Sequence, residues 1–168
     1  MKAITIAAFS AFSLCAACTS TPESDVVITE IDPAALPASV TEAIATERPG
    51  FEAEEALKKV RDGRVYYDVE GEDSDGSEIE FDVLMQDDGS AQIVEIQRDL
   101  DWADVPSEVR DLAFEASEGQ TPVRTIESLQ TDGAVIYEFF AEGVPADPTW
   151  EIRVHGGEVE LLTERWVH

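Results

Sequence analysis

Asp62-Gly63-Arg64-Val65-Tyr66-Tyr67-Asp68-Val69 returns 70 positions later as Asp132-Gly133-Ala134-Val135-Ile136-Tyr137-Glu138-Phe139. Other blocks repeat around it. Leu36-Pro37-Ala38-Ser39-Val40 returns as Val105-Pro106-Ser107-Glu108-Val109, Phe81-Asp82-Val83 as Trp150-Glu151-Ile152, and Asp88-Gly89 as Gly156-Gly157. Four blocks in one order, at offsets between 68 and 70, describe an internal repeat. The two units span 31–100 and 101–168.

Each unit opens with a helical pattern. Leu36, Val40 and Ile44 recur every four residues, Pro37 sits at the first turn, and Pro49-Gly50 ends the run. Val105, Val109, Leu112, Ala113 and Ala116 keep the same face in the second unit, before Gly119. The remainder alternates with period two. Val65, Tyr67 and Val69 alternate with Tyr66, Asp68 and Glu70, while Ile79, Phe81, Val83 and Met85 alternate with Glu78, Glu80 and Asp82. Trp150, Ile152 and Val154 alternate with Glu151, Arg153 and His155. One apolar side describes an antiparallel sheet wet on the other face. Asp62-Gly63, Asp88-Gly89, Asp132-Gly133 and Gly156-Gly157 are hairpin turns. Glu52–Val60 is rich in helix formers, but its counterpart Val123–Gln130 favours strand, so both are read as first strands. The fold class expected is therefore α+β: two tandem repeats, each a helix packed on a four-stranded antiparallel sheet.

Ahead of the repeats, Met1-Lys2 is followed by an apolar stretch to Ala17. That stretch is short for a bilayer span and has the form of a secretory signal peptide, residues 1–17. Leu14-Cys15-Ala16-Ala17-Cys18 resembles the bacterial lipobox, which makes Cys18 the lipidation site, although Leu14 stands four before that cysteine where the pattern has three. Residues 18–30 are read as a polar tether. In Gram-negative lipoproteins an Asp at the position of Thr19 signals inner-membrane retention, so the resemblance implies the outer membrane and its periplasmic side. The alternative is a soluble periplasmic protein released by an ordinary signal cut.

Charge excludes several partners. The chain carries 37 acidic and 11 basic residues, a net charge of −26. Phosphate binding needs clustered Lys and Arg, so nucleic acid is not expected. Flat adsorption on anionic lipid is disfavoured as well, which leaves the N-terminal lipid as the only membrane contact. The same charge predicts a monomer and attraction to cationic partners. With Cys15 and Cys18 the only cysteines, no thiol remains for a disulfide or a zinc cluster in the exported part.

Leu36-Pro37-x-x-Val40, Pro49-Gly50, Asp62-Gly63, Tyr67-Asp68-Val69 and Phe81-Asp82-Val83 before Asp88-Gly89 resemble the PepSY-like domain family. Val105-Pro106, Tyr137-Glu138-Phe139 and Trp150-Glu151-Ile152 repeat the pattern. The tandem build is similar to that of the β-lactamase inhibitor proteins. The resemblance covers nearly all of the exported part and implies a secreted or membrane-attached module that binds peptides or proteins, in some members inhibiting proteases. The second unit departs from it by lacking the Pro-Gly after the helix and by its middle loop Gly143-Val144-Pro145-Ala146-Asp147-Pro148.

The residues offer no catalytic constellation. His155 abuts a turn and His168 ends the chain, neither beside a Ser or Cys nucleophile, and no Gly-x-Ser-x-Gly elbow or phosphate-binding Gly loop occurs. No enzyme activity and no cofactor are expected. The acidic run Glu70–Glu78 has a calcium-friendly composition but fails the EF-hand spacing, with Gly71 at position one and Asp82 at position twelve. No metal is assigned. The candidate binding surface is the polar sheet face, with Tyr66, Asp68, Glu80 and Asp82 in the first unit and Phe140 and Arg153 in the second. Acids around exposed aromatics suit a basic or amphipathic peptide or protein. The alternative is an acidic structural or cation-buffering envelope lipoprotein without a specific partner.

Overall fold

The computed structural model describes residues 26–143 and 147–166. The signal segment 1–17, Cys18, the tether up to Asp25, Val144-Pro145-Ala146 of the middle loop, and His168 lie outside the described residues.

Among the described residues, nine strands form a single antiparallel sheet whose spatial order is the chain order. They are β1 (Val27–Ile31), β2 (Glu52–Arg61), β3 (Arg64–Glu72), β4 (Glu78–Met85), β5 (Ala91–Asp99), β6 (Arg124–Gln130), β7 (Val135–Phe140), β8 (Trp150–His155) and β9 (Glu158–Leu161). Helix α1 (Ala38–Glu47) lies between β1 and β2 in the chain, and α2 (Ser107–Ala116) between β5 and β6.

This corrects the fold class expected from the sequence. There are not two repeats of a helix on its own four-stranded sheet, because β5 pairs with β6 from Glu95↔Gln130 to Asp99↔Ile126 and makes the sheet continuous. Two separate sheets would leave the backbone groups along β5 and β6 without partners, and joining the edges satisfies both rows. The repeat specifies what each half contains, and says nothing about how their edges meet. A second difference is β1. It takes in residues 27–30, which composition assigned to the tether, because the β-branched run Val27-Ile28-Thr29 pairs with β2. β2 itself is strand despite its helix formers, since it is paired on both sides, with β1 and β3.

The hairpin glycines do what their sequence positions require. Gly63 and Gly133 have φ of +78° and +81°, a region that a Cβ disfavours. Pro37 and Pro106 stand at the N-caps of the two helices, where a missing N–H costs least. Leu36, Val40 and Ile44 pack on Tyr67, Val69, Phe81 and Val83. Phe51 meets Phe81 edge-on at 5.0 Å. Val105, Val109 and Ala113 pack on Tyr137, Phe139 and Ile152, with Trp102 edge-on to Phe139 at 6.0 Å and Trp150 stacked on it at 5.9 Å. Burying each such side chain stabilises the fold by about 1.5–3 kcal/mol. Both helices cover the same face of the sheet. Among the described residues no helix or strand packs over the opposite face, which Trp166 meets at Glu151 and Arg153, and all six candidate binding residues lie on that face.

Candidate functional site

The open face is built from the alternate positions of each strand, and register lines up its acids. Asp68 on β3 stands directly opposite Asp82 on β4, which stands opposite Glu95 on β5. Glu70 stands opposite Glu80 in the next row. Like charges in direct opposition across strands are destabilising unless a cation or a proton intervenes. Here both do. Lys59 on β2 makes an ion pair with Asp68 Oδ2. Asp68 Oδ1 and Asp82 Oδ1 are both buried without a donor when both groups are carboxylates, and one proton held between them satisfies both.

The protonation behaviour follows. Burial, then the hydrogen bond and the charge of Asp82, push Asp68 up to about 7, against the pull of Lys59. Burial and the Asp68 charge also raise Glu80. Burial works to lower Lys59, but the hydrogen bond and charge of Asp68 outweigh it and raise the ammonium. Glu95 is only 1% exposed and accepts from Ser128 Oγ and from Gln130 Nε2, the latter at 2.8 Å.

A second acidic pair occupies the far half of the face. Glu138 on β7 stands opposite Glu151 on β8. Burial, then the charges of Glu151 and Glu95, push Glu138 up to about 7, while Arg165 and Arg124 act to lower it. Glu151 accepts from the Trp166 backbone N–H at 2.6 Å. Arg153 lies at the edge of this patch, 3.6 Å from Asp132 and with its guanidinium over the Trp166 ring.

Of the candidate residues, Asp68, Glu80 and Asp82 form one cluster. Phe140 and Arg153 sit three and four strands away from it and belong to the second patch. The aromatics differ from expectation. Tyr66 is 9% exposed beneath the guanidinium groups of Arg61 and Arg64, 5.1 and 5.7 Å from its ring centre. Phe140 is 4% exposed beneath Arg124, at 5.5 Å. Arg61 and Arg124 reach these rings from the neighbouring strands and Arg64 from two positions earlier on β3 itself, so neither aromatic is an open anchor. Lys59 and Glu95 are the residues that sequence reasoning did not single out, whereas the alternation already placed Glu138 and Glu151 on this face. Glu138 and Glu151 carried a usable signal, since each stands in the repeat block aligned with Asp68 or Asp82.

Toward the loop end of β4, β5 and β6 a shallow groove is lined by Glu78, Glu80, Gln97, Asp99, Arg124 and Ile126. The acidic loop nearby spends its carboxylates on itself. Asp75 accepts from Ser77 N and Oγ, which hold it below the usual carboxylate range, and Asp73 accepts from Ser74 N and faces Arg48 at 3.7 Å. Glu70 and Glu72 belong to strand β3 rather than to the loop. His155 is exposed, with Nε2 3.3 Å from the Asp132 carbonyl oxygen. The open face can attract ammonium and guanidinium groups and exchange protons near neutrality.

A scan against protein-family models found no match to this chain, and no curated protein matches it.

Proposed function

We propose that this is a non-catalytic lipoprotein of the cell envelope, anchored through Cys18, that binds a basic or amphipathic peptide or protein on its open sheet face. The observation that supports the reading is the excess of carboxylate there. Asp68, Glu70, Glu80, Asp82 and Glu95 adjoin one another across three strands with Lys59 the ammonium among them. Acids set side by side in this way favour the approach of a cationic group. The PepSY-like resemblance, carried by sequence motifs, extends the reading to inhibition or regulation of a protease. The lipobox and Thr19 extend it to the periplasmic side of the outer membrane.

Capture from an envelope extract at moderate salt tests the binding. The intact protein should retain one partner saturably, and a variant carrying Glu80→Gln and Asp82→Asn should lose it while staying folded. Adhesion of many basic proteins that salt removes uniformly would instead favour the acidic structural or cation-buffering role. Changing Cys18 to Ser should move the protein from the membrane to the soluble periplasmic fraction, and unchanged membrane retention would exclude the lipid anchor.

A further inference from the structure

We propose that β1 is the interface of a homodimer, in which two copies of this chain pair their β1 strands antiparallel about a two-fold axis. Among the described residues β1 is the first strand of the sheet and pairs only with β2. Its outer side therefore presents backbone N–H and C=O groups with no partner strand among the described residues. Proteins usually guard such an edge with proline, inward charge, a bulge or a very short strand. This edge has little of that. Val26, Val27 and Ile28 are 43%, 58% and 57% exposed, half of the six exposed large hydrophobics among the described residues. Glu30 is the only charge on the strand. The opposite edge is protected by contrast. β9 has four residues, and two of them are Glu158 and Glu160, so like edges would meet acid to acid.

The charge distribution along β1 selects the occupant. The N-terminal end lies against the one concentration of basic residues, with Ile28 opposite Lys59 and Thr29 opposite Lys58, and with Arg61 and Arg64 in the adjoining hairpin. Four of the eleven Lys and Arg of the chain fall within residues 58–64. The C-terminal end carries Glu30 and Asp32 and lies beside Glu52, Glu54 and Glu55 of β2. A foreign strand of uniform charge suits one end and opposes the other. A second β1 running antiparallel brings its acidic end to the basic end and its basic end to the acidic one, and a two-fold axis does both at once. The net charge of −26 favours a monomer at long range. That repulsion is screened over about 8 Å at physiological ionic strength, so at short range the pairing of the two edges decides. A ribbon of five or six residues buries little area, so the association is modest and depends on concentration.

The proposal does not depend on what the open face binds. Sedimentation equilibrium of the protein carrying Cys18→Ser, from about 10 µM to about 1 mM, should show a monomer–dimer equilibrium. Ile28→Lys and Glu30→Arg should each weaken it by at least about tenfold. Adding Arg61→Glu to Glu30→Arg should recover most of the loss, with circular dichroism showing each variant folded. Independently, Thr29→Cys should form an intermolecular disulfide under mild oxidation, and Glu160→Cys on β9 should not. A protein that stays monomeric over the whole range, or a dimer indifferent to both β1 substitutions, overturns the proposal. A dimer that Ile28→Lys abolishes but the charge exchange does not restore overturns the antiparallel arrangement.

Discussion

At Gly71 the backbone of β2 passes so close that a Cβ would collide with the Glu52 carbonyl oxygen and lie 2.9 Å from Ala53 Cα. The β2–β3 register shifts at this point, between Ala53 and Glu55, and the shift brings the two strands together where only a glycine fits. Gly71→Ala should therefore cost about 2–4 kcal/mol of stability, read from the urea midpoint, although alanine suits most strand positions better than glycine. A change below about 0.5 kcal/mol would show that β2 can move aside. In the sequence this glycine stood inside an acidic run with the look of a loop, and nothing local marks it as the crossing point of two strands. Tyr66 and Phe140 were legible to the same limited depth. Alternation put them on the polar face, and Arg64 shares that side of β3 with Tyr66, but Arg61 comes from across the turn and Arg124 from the next strand. Phe140→Ala should consequently cost about 2–4 kcal/mol, where an exposed contact residue would cost almost nothing.

Strands, rather than single residues, assemble the acidic rows, because register sets β3, β4 and β5 side by side. Alternation along β3 and β4 was enough to find Asp68, Glu80 and Asp82. β5 was harder, since the register shifts between Asp82 and Val83, leaving Val94 extra and changing which side Glu95 takes. The rows have a consequence for stability against pH. Asp68 and Glu138 are pushed up to about 7 in the folded protein, and Glu80 is raised too. The folded state therefore keeps protons that the unfolded chain releases at about pH 4. This contribution is complete below that pH and is lost as pH rises through about 7. Asp75, Asp88 and Asp132 are lowered, so their contribution is present above about pH 4 and is lost as pH falls through their depressed values. The protein should be more stable at pH 5 than at pH 8, by on the order of 1–2 kcal/mol for each of Asp68 and Glu138 after solvent screening, with Glu80 acting in the same direction. Asp68→Asn should flatten part of that slope in urea titrations at the two pH values, and an unchanged slope would mean that the Asp68–Asp82 row holds no proton at neutrality.

For the whole molecule the decisive contact is the β5–β6 seam, five register pairs that turn two sequence repeats into one sheet. Content was legible from the repeat: helix positions, hairpin turns and the apolar side of the strands. The seam was not, because pairing between edges depends on backbone groups that every residue carries alike. A continuous sheet should unfold as one unit even though the two helix-covered clusters are separate. All three tryptophans, Trp102, Trp150 and Trp166, lie in the second half, whereas far-ultraviolet circular dichroism sees both halves. The two signals should give the same urea midpoint, and separated midpoints would show that the seam does not couple the halves. The identity of spatial and chain order has a bearing on synthesis as well. From β2 onward, each strand pairs with the one made just before it. A chain emerging N-terminus first, from a ribosome or through a membrane pore, always finds its next partner already outside. The sheet can then lengthen in step with delivery, and no early strand has to wait for the far end of the chain.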